Sequence, residues 1–383
     1  MLPTLNHIAE QRLRHIELAR QAVLHDKQPD SAATTAPWIT RSWQRCLSNG
    51  QLPHQLVSFD QVSAQAMRRS EDANHVLLNA ARPALKRLGQ AIAETRYFAI
   101  LTNADGVVVD VGGPIDRSDP RANVIARVGV DLSERSVGTT AISAALAERH
   151  PVWLHRGEHF FSGNSAYSCA GAPLFGPDGR VVGMLDLTGI EEHERPELKY
   201  LVAQSARTIE NTLTLNRAHQ LLVRLNWPGR ALGDETDGLV CLDADGWVTG
   251  ANQAARYMIA HLKQSDARAD TPIHSSELFA MPFEMLFDAA GRESYGLPAP
   301  IDVPLWSGLR LNAISVKRGH TADEPISVRG ALTSDHQSLR EVETALIRKA
   351  VVQAKGNVMQ AARELGISRA TVYRKLGHKR TGN

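Results

Sequence analysis

Apolar positions change their spacing several times along the chain. From Leu5 to Val23 they recur every three or four residues (Leu5, Ile8, Leu13, Ile16, Ala19, Val23), which predicts an amphipathic helix. "QPDSAATTAP" interrupts it. "WITRSWQRCL" restarts a helix that ends at Ser48-Asn49-Gly50, and a third helical stretch, rich in Ala, Leu and Arg, covers about 60–95. At Tyr97 the period shortens. "YFAILTNADGVVVDVGG" reads as a hairpin with its turn at Asn-Ala-Asp-Gly. "GTTAISAALAERHP" is a small-residue helix stopped by Pro151. "APLFGPDGRVVGMLDLTG" is a second hairpin turning at Pro177-Asp178-Gly179, and a long helix from about Pro196 to Leu225 closes this unit before Trp227-Pro228-Gly229.

A similar order then begins again. "GLVCLDADGWVTGANQAARYMI" sets a strand, an Asp-Ala-Asp-Gly turn, a second strand and a helix. Strand-like pieces at Ile301–Trp306 and Leu309–Val316 would complete a second sheet. Tyr257 and Met258 read as packing residues, and His261 and His274 as surface or core. The polar stretch from Arg318 has no period and reads as a linker.

The last forty-odd residues return to helical spacing. Ser338 and Glu341 form a capping box before a helix carrying Leu339, Val342, Leu346 and Ala350 on one stripe. Gly356 can end that helix. Asn357 and Gln360 open another, "VMQAAREL", in which Ala361 and Ala362 allow a close neighbour. Gly366 supplies a turn, Ile367 plugs the core, and Ser368 caps "RATVYRKL" with Val372 and Leu376 inward. Two short helices so joined make a helix-turn-helix, whose second helix enters the DNA major groove. Arg369 at its start can fork onto guanine, and Thr371 can meet bases or phosphate. Arg374, Lys375, Lys379 and Arg380 can neutralise phosphates.

Charge placement sharpens this. The 383 residues carry a net charge of only +2, yet residues 340–383 hold ten Lys/Arg against three Asp/Glu. A basic tail on an acidic body is the electrostatic footprint of a nucleic-acid reader. Three scattered cysteines form no CxxC pair, which argues against a disulfide framework or zinc ribbon. No signal-peptide h-region or bilayer-spanning apolar run stands out, so a cytoplasmic protein without membrane association is expected. No Ser-His-Asp order, paired-carboxylate motif or nucleotide loop appears, so the expectation is a non-enzyme without cofactor or metal.

The residues at this point resemble a known group. "GNVMQAARELGISRATVYRKL" is similar to the Fis-type helix-turn-helix that ends NtrC-like, sigma-54-dependent activators. "RVGVDLSERSVGTTAISAALAERHPVWLHRGEHFFSGNSAYSCAGAPLFGPDGRVVGMLDLTG" resembles the GAF domain of acetoin-catabolism regulators, and "RSWQRC" at 41–46 resembles that group's helical N-terminus. Residues 229–320 look, more weakly, like a PAS domain. The resemblance implies a multidomain α+β chain: a helical N-terminal region (1–80), a GAF-like α/β sandwich with its closing helix (81–226), a PAS-like α+β domain (227–320), a linker (321–337) and an all-α helix-turn-helix (338–383). It implies a homodimer formed through Leu339–Lys355 on an inverted-repeat site in double-stranded DNA, with Ser368, Arg369, Thr371, Tyr373, Arg374 and Lys375 on bases or phosphates. A small-molecule effector in the GAF domain and RNA polymerase are the other implied partners.

The effector candidates are Trp153, His155, Glu158, His159, Phe160 and Cys169. His-x-x-x-His spacing also suits a metal, but these residues sit in a Gly-broken loop and not along one helix face, so a structural histidine in a pocket lid is the preferred reading. Trp153, Phe160 and Phe161 read as core or pocket wall.

One expected part is missing. Such relatives carry a central AAA+ motor with a Gly-x-x-x-x-Gly-Lys-Ser/Thr loop that cradles phosphate. "GPDGRVVG" lacks the Gly-Lys pair and lies in a hairpin, and the linker is too short to hold a motor. The expectation is a ligand-responsive, sequence-specific DNA-binding regulator that works as a dimer without ATP hydrolysis. The alternative is a modulator that competes or forms mixed dimers with a full-length sigma-54-dependent activator.

Overall fold

The computed structural model describes residues 5–24, 35–265, 271–290, 293–294, 297–317, 358–364 and 372. The chain divides into two compact units, Met1–Gly319 and His320–Asn383.

Three helices lead: α1 (Leu5–Leu24), α2 (Pro37–Ser48) and α3 (Ala64–Ala91). The first sheet follows, with β1 (Tyr97–Asn103), β2 (Val108–Gly112), β3 (Val152–His155), β4 (Tyr167–Phe175) and β5 (Val181–Ile190). All pairs are antiparallel, in the order β2-β1-β5-β4-β3. The strands alternate faces, as their side-chain period of two requires. Leu185 and Leu187 point to one core, shared with Leu77, Leu88, Val202 and Ile209 of α3 and of α7 (Leu198–Leu215). Met184, with Phe98, Ile100 and Cys169, points to a second core. That core is roofed by α4 (Pro120–Ile125), α5 (Glu134–Val137) and α6 (Ala141–Glu148). Gly171 lets α6 lie directly on β4: a Cβ there would fall 2.3 Å from Met184 Cε and 2.8 Å from the Ala141 carbonyl.

The second sheet contains β6 (Leu221–Asn226), β7 (Gly238–Leu242), β8 (Val248–Ala251), β11 (Ile301–Pro304) and β12 (Arg310–Lys317), in the antiparallel order β11-β12-β6-β7-β8. Two short strands, β9 (Glu293–Ser294) and β10 (Leu297–Pro298), pair apart from it. Helices α8 (Gln253–Met258), α9 (Ala260–Ser265), α10 (Ser275–Leu278) and α11 (Glu284–Ala289) cover one face. The other face meets α7, where Cys241 Sγ donates to the Thr214 carbonyl at 3.5 Å and Asn252 Nδ2 donates to Asn211 Oδ1 at 2.7 Å. α7 is therefore common to both sheets. The described fold is mixed α/β, built on two antiparallel sheets.

The repeated turn chemistry has one physical basis. Asn103 Oδ1 accepts from the amides of Asp105 and Val107, and Asp243 Oδ1 accepts from those of Asp245 and Trp247, all at 2.9–3.0 Å. Gly106 and Gly246 then take φ of +84° and +86°, which only glycine adopts freely.

Two expectations need correction. The helix expected to reach Leu225 ends at Leu215, and residues 221–226 are β6, central in the second sheet. Leu221, Val223 and Leu225 alternate onto that sheet's core, a period of two that the helical reading overlooked. A boundary after residue 226 consequently divides the second sheet. Tyr257 is also no packing residue, being 66% exposed. In the second unit, α12 (Val358–Glu364) lies where "VMQAAREL" is predicted, and Ala362 and Val372 are buried. The linker, the capping box at Ser338 and Glu341, and the helix 339–355 fall outside the described residues.

Candidate functional site

Between the first sheet and its roof lies a small cavity. Its free space is about 30 Å³, enough for roughly two waters when one needs ~10–15 Å³. Most of the wall is apolar, with Ile100, Ile125, Leu132, Val137 and Ile142 contributing. The polar exceptions are Thr140, His159, Asn164, Tyr167, Cys169, Asp186 and Thr188.

Three of them form a chain across neighbouring strands. The Thr188 hydroxyl donates to Asp186 Oδ2, and Cys169 Sγ lies 3.4 Å from Thr188 Oγ1. With the Thr188 proton committed to Asp186, the thiol is the donor of the second bond. Cys169 stands directly opposite Thr188 in the β4–β5 register. Burial pushes the Asp186 carboxyl up to about 7 against the pull of Thr188, and holds the Cys169 thiol well above its usual range. Asp186 Oδ1 is buried and has no hydrogen-bond partner among the described residues.

His159 supplies a second unmatched atom. Its Nδ1 lies 2.9 Å from the Arg156 carbonyl. A carbonyl only accepts, so Nδ1 carries the proton and Nε2 is a bare acceptor. Nε2 is buried without a partner among the described residues. Burial depresses the imidazole to about 4, so the ring is neutral at pH 7.

The loop that presents His159 is gripped from behind by the N-terminal helices. Arg20 of α1 donates to the carbonyls of Gly157 (3.2 Å), His159 (2.6 Å) and Phe160. Trp43 Nε1 of α2 donates to the Glu158 carbonyl at 2.9 Å. Arg12 pairs with Glu158 at 3.1 Å and Glu194 at 2.8 Å. Ser42 and Arg45 bind Glu134 at 2.7 and 3.1 Å, and Arg41 pairs with Glu148. "RSWQRC" is thus the segment that clamps α2 onto the roof of the cavity.

Of the six effector candidates, His159 and Cys169 line the cavity. Trp153 and His155 do not: Val152 and Leu154 take the cavity face of β3, and Trp153 packs toward the α3–α7 core. The His155 ring lies parallel to Trp153 at 6.4 Å, and its Nδ1 meets Ser168 Oγ at 2.8 Å. Glu158 folds back on the His155 amide at 2.7 Å, and Phe160 packs with Ile39 and Trp43. Neither lines the cavity. Asp186 and Thr188 were missed, although a carboxylate inside an otherwise apolar strand, "VVGMLDLTGI", is a strong signal of a site. The DNA-contact candidates Ser368, Arg369, Thr371, Tyr373, Arg374, Lys375, Lys379 and Arg380 lie outside the described residues.

Residues 9–211 match the family described as MimR, N-terminal domain. The chain belongs to that family. Its tail, residues 338–377, matches the bacterial regulatory protein, Fis family. The acetoin catabolism regulatory protein of Cupriavidus necator is 28% identical over 279 residues, which is 71% of this chain and 40% of that protein. The propane 2-monooxygenase operon transcriptional activator MimR of Mycolicibacterium goodii is 29% identical over 217 residues, 56% of this chain and 35% of that protein. The chain therefore spans 40% or less of the length of these relatives. Both are named as regulators, in line with the expectation of a non-enzyme. Among solved structures, the E. coli DhaR(N)–DhaL complex aligns with a TM-score of 0.43 and 16% identity, covering 74% of this chain and all of that one.

Proposed function

We propose that this member of the MimR N-terminal domain family is a sequence-specific DNA-binding transcriptional regulator that answers to a small hydroxylated ligand in the Asp186–His159 cavity. The observation that carries the reading is the union in one chain of a cavity lined by Asp186 and His159, each with a buried polar atom that has no partner among the described residues, and a Fis-family tail. His159 Nε2 calls for a hydroxyl donor, Asp186 Oδ1 for a hydroxyl that donates to the carboxylate or accepts from the acid, and the apolar walls suit short carbon chains. A small diol or hydroxyketone has both, and acetoin, after which one relative is named, is of this class.

The small free space adds a mechanism. A ligand larger than about two waters displaces part of the lining, and where that part is the His159 loop it moves a segment held by Arg20 and Trp43. Occupancy would then be felt by α1 and α2, and the ligand shifts the equilibrium only as far as it binds the two loop positions with different affinity. The DNA-bound form is a homodimer through residues 339–355 on an inverted repeat. No Gly-x-x-x-x-Gly-Lys-Ser/Thr stretch occurs in the sequence, so the action proposed needs no ATP hydrolysis: occupancy of a site, with or without contact to RNA polymerase. The first sheet serves as the GAF-like sensor and the second as the PAS-like module, in a cytoplasmic protein.

Purified protein titrated onto DNA fragments at several salt concentrations tests the reader. Affinity should fall steeply with salt, and a flat response would remove the DNA assignment. Thermal shift with a series of small diols and hydroxyketones tests the cavity. Stabilisation that persists in Asp186→Asn and His159→Phe chains would place the ligand elsewhere.

A second reading draws on the absence of a Gly-x-x-x-x-Gly-Lys-Ser/Thr stretch. A chain with a Fis-family tail and no such loop could compete with a full-length sigma-54-dependent activator for its sites or dimerise with it. Co-purification with such a protein would favour this over independent occupancy.

A further inference from the structure

A second concavity lies away from the Asp186 cavity, where β4 and α7 face β6 and α8. This open cleft has a volume of about 500 Å³, inside the range of ~300–1,000 Å³ typical of small-molecule sites. Its floor owes its depth to small residues, Ala172 and Pro173 on β4 with Ala203 and Ala206 on α7. Its walls are aromatic. Phe175 is buried on one side, while Trp227 and Tyr257 on the other remain 39% and 66% exposed. Large aromatic side chains left in water beside a concavity are the kind of surface that a ligand covers.

The cleft is also positively charged. Arg149, Arg207 and Arg230 all reach its lining. Arg149 is already used: it donates to the Gly179 carbonyl at 3.0 Å and lies over the Phe175 ring at 5.4 Å. The guanidinium groups of Arg207 and Arg230 have no hydrogen bond or ion pair among the described residues.

The one acidic group among the described lining residues does not cancel this charge. Glu210 is buried, 6% exposed, and its Oε1 accepts from the Phe175 amide at 3.0 Å. Its other oxygen has no partner among the described residues. Burial pushes the carboxyl up to about 8, although Arg207 pulls it down. At neutral pH the group is mostly the acid. With Oε1 accepting, the proton resides on Oε2, which makes Glu210 a donor toward the cleft. Two open guanidinium groups and a carboxylic O–H together match a carboxylate.

We propose that this cleft is a second ligand site that takes an aromatic carboxylate, its ring against Trp227 and Tyr257 and its carboxylate held by Arg207, Arg230 and Glu210. The site does not depend on the function assigned to the Asp186 cavity.

The test is isothermal titration calorimetry of the full chain with 2-naphthoate, alongside its neutral and cationic isosteres 2-naphthalenemethanol and 2-naphthylmethylamine. Naphthoate should bind, and the alcohol should bind more weakly by about tenfold or more, since charge-assisted bonds roughly double the strength of neutral ones. The double variant Arg207→Gln/Arg230→Gln should lose naphthoate by a similar factor while keeping its thermal midpoint, because both side chains are unpaired. Tyr257→Ala should weaken naphthoate and the alcohol alike. Asp186→Asn should leave naphthoate binding unchanged. The proposal fails if naphthoate gives no heat at millimolar concentration, if the alcohol or amine binds as tightly, or if the double variant binds naphthoate as the parent does. It fails too if Asp186→Asn alone abolishes the heat, which would place the ligand in the other cavity.

Discussion

Thr188 donates its hydroxyl proton to one carboxylate oxygen of Asp186, a residue that lines the cavity, and the second oxygen is buried with no partner among the described residues. A half-satisfied buried acid is costly, so the pair has consequences that can be measured.

The first concerns pH. The Asp186 carboxyl, ordinarily at 3.8, is held near 7 by burial. Between those values the folded chain keeps a proton that the unfolded chain has released. This group therefore makes stability fall as pH rises from about 4 to about 7. In Asp186→Asn that contribution is gone. His159, depressed from 6.5 to about 4, acts with the opposite sign but is common to both chains. The stability of Asp186→Asn relative to the parent should rise with pH across this window, by at most ~1.4 kcal/mol per unit. Urea melts at pH 4.5, 6 and 7.5 measure it, and a difference independent of pH would contradict the buried-acid geometry.

The second prediction concerns the clamp. Arg20→Ala strands the carbonyls of Gly157, His159 and Phe160, and an unsatisfied buried group costs about 1–3 kcal/mol. The variant should lose at least ~2 kcal/mol on this basis. Amide exchange at 157–161 should accelerate more than in β4 and β5. Uniform acceleration would mean that Arg20 supports the whole unit and not the loop.

Third, Gly171→Ala puts a methyl group against Met184 and the Ala141 carbonyl. Met184 can move, but the carbonyl belongs to α6, so the helix must lift. A loss of about 1–3 kcal/mol is expected from overpacking, together with weaker ligand stabilisation, because α6 forms part of the cavity roof. Unchanged stability would show that the roof is looser than the packing implies.

Fourth, Arg369→Ala should weaken operator binding by about 1–3 kcal/mol and relax sequence preference, whereas Lys379→Ala should weaken all DNA equally and lower the salt slope by about one. Gel-shift titrations with matched and scrambled fragments separate the two. Equal effects of both substitutions on every fragment would mean that Arg369 holds phosphate and not base.

Much of the architecture was legible in the order of apolar residues. The Asn103 and Asp243 turns carry their own hydrogen bonds within four residues, and local chemistry of that kind shows in a linear string. β6 was not legible. "LLVRLN" follows a long helix, and its strand character comes from pairing with β7 and β12, distant in sequence. The site divided in the same way. His159 and Cys169 drew notice as familiar ligand types. Trp153 and His155 drew the same notice but do not line this cavity, because which face of β3 they occupy is decided by its pairing with β4. Asp186 escaped because a lone carboxylate in a strand forms no cluster along the sequence: Cys169 reaches its neighbour Thr188 only through the β4–β5 pairing.

The sharing of α7 bears on how such chains can be inherited. The family match ends at residue 211, within α7, yet Thr214 and Leu215 beyond it meet the second sheet, and Asn211 bonds Asn252 just past β8. Recombination that swapped everything after residue 211 for another cassette would leave a graft whose partner surface must be matched again. The two sheets can change places in evolution only as a co-adapted pair, or with a rewritten last turn of that helix.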